Sequence, residues 1–435
     1  MTSDIVPPWD AVIVGAGPVG LLLASELAAQ DLRVTVLERA ASRSPFPKAN
    51  GIVGQSALDL AERGLLAGTG LRVISPPQFQ FGPLMLDLGV GPENPLHILP
   101  VPQRRLEELL ERRAVANGAQ LHRGCEVTGC TQRDAGVTVE FRSGDAPTSI
   151  ETRYLVGCDG AHSFVRKQAG IGFPGFTSDE IARIARITIP PAQITRAGDG
   201  LAIAGVGRVA AMRTNPMPGG GFTIAPAAVL DSTAAADLYL ISTYEPRGEA
   251  EASDPISVDE LRASLRRVLG ADLPFTDAAA ARSTVGNSRQ ADSYRSGRVF
   301  LSGDAAHVFN AGGSALNVGL QDAFDLAGRL AAVLRDGASA AELDGYESVR
   351  RLAGERALQH TRAQAALARR DDSSSALRQV LGTVIADPAA ARSLARLIEA
   401  ALHREPQPSG PPGPPGRWRP RSLFVTSTPR PPASR

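Results

Sequence analysis

Apolar residues along this chain keep two rhythms, and an element begins or ends wherever the rhythm changes. "AVIVG" (Ala11–Gly15) is a continuous apolar run, as a parallel strand covered on both faces must be. Val19–Gln30 has helical composition, and "RVTVLE" (Arg33–Glu38) alternates with β-branched residues, which predicts strand, turn, helix and strand in succession. "RRLEELLERRAVANGAQL" (Arg104–Leu121) predicts an amphipathic helix ending near Gly118. "YLVGCDG" (Tyr154–Gly160) and "RVFLSGD" (Arg298–Asp304) predict two more buried strands leading into glycine turns. Between these pieces the pattern shortens. "LMLDLGV", "HILPV", "RIARITI", "GRVAAMRT", "GFTIAP" and "DLYLISTY" read as strands separated by Gly, Pro and Asp. The helix "VDELRASLRRVLG" follows, with Ser257 as its N-cap. Ala341–Arg404 is helical in composition, with a break at Pro388.

These patterns predict an α/β domain assembled from residues 1–74, 100–176 and 287–370. A mostly antiparallel sheet domain, 75–99 and 177–286, is inserted into it, and C-terminal helices cover 371–403. The remainder, 404–435, has ten prolines from Pro406 onward and few apolar residues, the composition of a solvated tail.

Composition narrows the partners. The chain has 435 residues, 43% apolar and 21% charged, with a formal net charge of +1, so bulk charge points to neither nucleic acid nor a membrane surface. The stretch Ala11–Ala29 is long enough to span a bilayer. Gly15, Gly17, Pro18 and Gly20 interrupt it, and strand, turn and helix account for it better. Cys125, Cys130 and Cys158 are too few for a disulfide framework or a zinc site, and no histidine has metal-ligand spacing. No secretory signal is expected, and the cytoplasm is the expected compartment.

Gly15-x-Gly17-x-x-Gly20, with Glu38 ending the next strand, has the residue types and spacing of a dinucleotide cradle. Gly15 permits the tight turn, Gly17 admits a pyrophosphate to the backbone, and Gly20 lets helix pack against strand. The helix N-terminus supplies N–H donors to the anion, and Glu38 can accept from a ribose. This motif alone does not separate NAD from FAD. A second strand-to-helix turn, "GDAAHVFNAGGSALNVGLQDA" (Gly303–Ala323), favours FAD. Asp304 can accept from a ribityl chain, and the helix beginning near Ser314 can aim its positive end at a flavin ring.

Three motifs in order, "GAGPVG…LER" (Gly15–Arg39), "CDGAHSFVR" (Cys158–Arg166) and "GDAAH…GG…LNVGLQDA" (Gly303–Ala323), carry a resemblance to a known family. Over residues 10–370 the chain resembles the FAD-dependent aromatic hydroxylases, single-component flavoprotein monooxygenases of the para-hydroxybenzoate hydroxylase fold. Among them it resembles the bacterial polyketide-tailoring enzymes. The fold class implied is α/β: a discontinuous Rossmann-like FAD-binding domain, an inserted, mostly antiparallel substrate sheet and a helical C-terminal region.

The resemblance implies a set of cofactor-binding residues: Gly15, Gly17, Gly20, Glu38, Arg39, Lys48, Gln103, Val127, Asp159, Arg166, Gly303, Asp304, Gly313 and Asn317. Asp159 and Arg166 belong to the motif linked to the pyrophosphate region and nicotinamide use. The Gly313–Asn317 loop would face the flavin ring. His307 is expected to pack or hydrogen-bond at the helix entry, and no catalytic residue is assigned. Two departures stand out. Lys48-Ala49 replaces the usual Arg-Ala, and "VFNAGGSALN" is one residue short and lacks the usual proline.

The activity implied is hydroxylation of an aromatic, polycyclic polyketide-like substrate. NAD(P)H reduces FAD, and molecular oxygen reacts through a flavin hydroperoxide. A homodimer is compatible with this reading. Two alternatives stay open. One is a FAD oxidoreductase that oxidises, reduces or cyclises such a substrate without oxygen insertion. The other is a FAD-containing pathway scaffold. Apolar positions such as Leu201, Ile203, Phe222, Ile224 and Tyr239 suit a flat ligand, although some must face the other side of their strands.

Overall fold

The computed structural model describes residues 9–44, 49–89, 94–144, 146–198, 200–229, 234–249, 252–253, 255–310, 314–369 and 371–402. Lys48, Gly313 and the proline-rich tail lie outside them. The helices are α1 (Pro18–Ala28), α2 (Gln55–Glu62), α3 (Gln103–Ala116), α4 (Phe164–Gln168), α5 (Val258–Leu269), α6 (Ser314–Leu334), α7 (Asp344–Ala368), α8 (Asp372–Ile385) and α9 (Pro388–Leu402).

Trp9–Val14 is an inner strand of the main sheet. It pairs in parallel with Val34–Glu38 on one side and Ala146–Gly157 on the other. Val299–Leu301 and Gln120–Arg123 extend the parallel set outward. Three of these strands, Trp9–Val14, Val34–Glu38 and Val299–Leu301, are buried almost throughout, as is the carboxyl end of Ala146–Gly157, which explains why those stretches are apolar runs. Register matters most for function. Val14 lies opposite both Leu37 and Gly157, and Gly157 lies opposite Leu301. The carboxyl ends of four parallel strands are therefore level. The strand ends and turns there, holding Gly15, Glu38, Asp159 and Gly303, emerge side by side although they are up to 288 residues apart (303 − 15). Ligands of open α/β sheets bind at such an edge.

The second sheet is antiparallel, in the order Thr214–Met217, Gly220–Pro226, Leu238–Pro246, Gly175–Thr188, Asp277–Gln290, His307–Val308. One of its faces packs under α5, whose N-cap is Ser257 as expected: its Oγ accepts from Glu260 N–H at 3.1 Å. Phe222, Ile224, Tyr239, Leu201 and Ile203 all lie in this separate core with Leu261 and Leu265 of α5. The apolar positions that suited a flat ligand are thus core residues: alternation turns Phe222, Ile224 and Tyr239 to the face opposite Tyr244, and Leu201 and Ile203 belong to a separate three-stranded sheet.

Residues 78–87 form their own hairpin, Gln78–Phe81 with Leu84–Asp87, rather than joining the large antiparallel sheet. Phe81 and Leu86 of this hairpin pack with Ile385, Ala391 and Ile398 of α8 and α9. Pro388 opens α9, where a missing N–H costs nothing, which is the break seen in the sequence. Among the described residues, no helix is long and apolar enough to cross a membrane.

Candidate FAD and substrate site

A cavity of about 980 Å³ runs along the carboxyl edge of the parallel sheet. Of the expected residues, Gly15, Gly17, Glu38, Arg39, Gln103, Val127, Asp159 and Asp304 line it. The three fingerprint glycines have three different reasons. Gly15 stands at φ +106°, and a Cβ there would sit 2.4 Å from Cys158 O. At Gly20 it would sit 2.1 Å from Gly15 O. At Gly17, the N-cap of α1, it would meet nothing within 4 Å, so this backbone is bare toward the cavity. Bare backbone at a helix N-terminus is what a pyrophosphate requires.

Glu38 is oriented by backbone. Its Oε2 accepts from Ala16 N–H at 2.7 Å and its Oε1 from Ala40 N–H at 2.8 Å. Each carboxylate oxygen keeps a second lone pair for a ribose hydroxyl. Gln103 begins α3 and is tied to Ala49, with Ala49 N–H donating to Oε1 at 3.3 Å. Its amide nitrogen donates to Glu107 at 2.8 Å. Asp159 caps α4: Oδ2 accepts from the N–H groups of Phe164 and Val165 at 2.7 and 3.1 Å, and Oδ1 from Ser163 Oγ at 2.5 Å. Burial, with Asp159 adding to the effect, pushes the thiol of the neighbouring Cys158 well up.

Four expected residues act from behind the wall. Gly20 holds α1 to the sheet. Arg166 is buried, donates to Ala305 O at 2.9 Å and Ala161 O at 3.0 Å, and stacks on Phe173 at 3.8 Å. It ties the Asp159 turn to the Gly303 turn. Gly303 is buried at φ +64° against Val19. Asn317 is also buried, with its Oδ1 accepting from Val53 N–H at 2.7 Å, so its amide anchors α6 to a strand instead of facing the cavity.

His307 hydrogen-bonds at the helix entry, as expected, but its partner was not foreseen. Its Nε2 lies 2.7 Å from Asp322 Oδ2, an oxygen that also accepts from Gly303 N–H at 3.0 Å. Arg350 Nε donates to Asp322 Oδ1 at 2.8 Å, and all three side chains are fully buried. Burial alone would raise the Asp322 carboxyl, but His307 and Arg350 outweigh it and hold the group below the usual carboxylate range. The only signal in sequence was an acid inside the apolar helix "ALNVGLQDAFDLA"; Arg350, on α7, gave none. Two further cavity residues were missed: Tyr244, from the antiparallel sheet, and Asn310.

Residues 9–361 match the FAD-binding domain family. The chain belongs to that family. It is 36% identical over 410 residues to the 12-dehydrotetracycline 5-monooxygenase/anhydrotetracycline 6-monooxygenase of Streptomyces rimosus, covering 92% of this chain and 77% of that one. Among solved structures it resembles CabE, an aromatic hydroxylase from angucycline biosynthesis, with a TM-score of 0.78 and 32% identity over 90% of this chain and 76% of that one. It also resembles the Diels-Alderase PyrE3 of pyrroindomycin biosynthesis, with a TM-score of 0.77 and 30% identity over 90% of this chain and 80% of that one. With the tetracycline monooxygenase and the angucycline hydroxylase, the chain stands among the FAD-dependent aromatic monooxygenases. The cavity fits FAD on its own terms: bare backbone at Gly17, the oriented Glu38 carboxylate and the Asp304 turn lie on one continuous wall.

Proposed function

We propose that this enzyme hydroxylates a flat, polycyclic, polyketide-like aromatic compound at the expense of NAD(P)H and molecular oxygen. The observation that carries the reading is one cavity reaching from the dinucleotide turn at Gly17 past Asp304 to Tyr244 of the antiparallel sheet. Cofactor and substrate can therefore share a space. FAD, when bound, supplies electron transfer and oxygen activation. The chain's own residues do the holding. Gly17 and the α1 N-terminus would take the pyrophosphate, Glu38 and Gln103 the adenosine side, and Asp304 the ribityl side. Arg166, Asp322 and Arg350 fix the turns behind that wall, so the donors are set before a ligand arrives. The antiparallel sheet closes the far side and helps exclude water.

The relative named for anhydrotetracycline supports the polycyclic class. The experiment is NADH and NADPH consumption by the FAD-loaded protein with and without anhydrotetracycline. Strong stimulation by the compound is expected, whereas none would favour a scaffold. The likeness to a Diels-Alderase gives a second reading its footing, namely a flavoprotein that reshapes a similar substrate without oxygen insertion.

A further inference from the structure

The cavity lining includes two polar side chains with no hydrogen bond among the described residues, Tyr244 at its hydroxyl and Asn310 at its amide. Both lie on one face of the antiparallel sheet. Tyr244 pairs with Ala182, which pairs with Thr284, and Gly286 is two residues further along that strand on the same face. A Cβ at Gly286 would sit 1.3 Å from Asn310 Oδ1, so the Asn310 amide rests directly on the bare glycine. Beside Tyr244 stands Gly221, where a Cβ would lie 3.3 Å from the ring's Cδ2. Glycine thus flattens the sheet beneath both side chains. Two strand spacings across and two residues along separate the Tyr244 and Gly286 backbones by about 12 Å. A backbone spacing of that size leaves room on the shelf for a fused polycycle between the two residues.

We propose that Tyr244 and Asn310 are the specificity-determining pair of the substrate site. The Tyr244 hydroxyl and the Asn310 carboxamide each hydrogen-bond an oxygen substituent, near opposite ends of a flat fused-ring substrate lying along the glycine shelf. This rests on the hydroxylase reading and adds the residues that choose the ring system. Both residues are half-buried in the cavity lining, so a ligand that covers them without matching oxygens leaves them desolvated and unpaired, which is how a polar site rejects analogues.

The test uses the FAD-loaded full chain and its Tyr244→Phe and Asn310→Ala variants, titrated with anhydrotetracycline and with 1,8-dihydroxyanthraquinone while flavin absorbance is followed. Each substitution should weaken binding of the polycycle about tenfold and the two together about a hundredfold, as loss of one and two hydrogen bonds implies. FAD content and melting temperature should stay at wild-type values, which shows that both variants fold. Wild-type affinity in both variants overturns the pair. A wild-type protein that binds neither polycycle overturns the fused-ring reading itself, so the two failures are distinct.

Discussion

Gly17 and Gly20 share one motif, yet substitution at each should break a different property. At Gly17 the backbone stands at φ −74° and ψ 177°, which any residue adopts, and an added Cβ meets nothing within 4 Å. Gly17→Val should therefore leave the apoprotein within about 0.5 kcal/mol of wild type. Its added carbons occupy the space through which a pyrophosphate reaches the backbone. Losing two hydrogen bonds to a charged group, at about 1.5 kcal/mol or more each, weakens FAD at least about a hundredfold. At Gly20 a Cβ would stand 2.1 Å from Gly15 O and 3.2 Å from Cys158 Cβ. Backbone cannot step aside cheaply, so Gly20→Ala should cost about 3 kcal/mol of stability. Thermal unfolding of the flavin-stripped proteins reads the first property, and FAD titration reads the second. If Gly17→Val melts as low as Gly20→Ala, or holds FAD with wild-type affinity, the separation of roles is wrong.

Asp322→Ala removes the carboxylate that bonds the buried Arg350 and should cost about 3–5 kcal/mol. Pairing it with Arg350→Met should cost less than the sum, as denaturant unfolding of the three variants will read. Arg166→Lys loses the fork that reaches two carbonyls and the stack on Phe173. It should loosen both turns and lower FAD affinity, measured by flavin fluorescence, with the fold retained. Glu399 predicts a pH effect. Burial, with a contribution from Asp59, raises its carboxyl from 4.5 to about 7, against the opposing Gln55 N–H. Its folded value exceeds its unfolded one, so its contribution is complete below about pH 4.5 and is lost as pH rises through 7. Wild type should lose up to about 3 kcal/mol relative to Glu399→Gln between pH 5 and 8. A melting-temperature difference that stays flat across that range contradicts the assignment.

Much of the α/β frame was legible because buried parallel strands cannot avoid being apolar runs. "AVIVG", "RVTVLE", "YLVG" and "RVFLS" each became a strand of one sheet. Their shared edge then brought Gly15, Glu38, Asp159 and Asp304 together, which spacing along the chain does not reveal. Where the reading stopped short, the cause was alternation. Phe222 and Ile224 looked suited to a ligand, but in a strand covered on both sides polarity does not say which side is the core. Asn317 and Arg166 carry polar groups that bond the protein's own backbone, and a motif match cannot distinguish that from bonding a cofactor. The Asp322–Arg350 pair joins two helices that only the tertiary fold brings together.

The measurement that bears most directly on the hydroxylase account is oxygen-18 incorporation. FAD-loaded protein, NADPH and anhydrotetracycline under oxygen-18 gas should yield a product heavier by one labelled oxygen atom. The sequence keeps the loop's glycines and helix α6 follows them, although the proline usual in that loop is missing. Some NADPH should accordingly be spent on free peroxide, measurable beside the labelled product. A transformed product that carries no oxygen from the gas would contradict the account and establish a flavoprotein that reshapes its substrate without inserting oxygen.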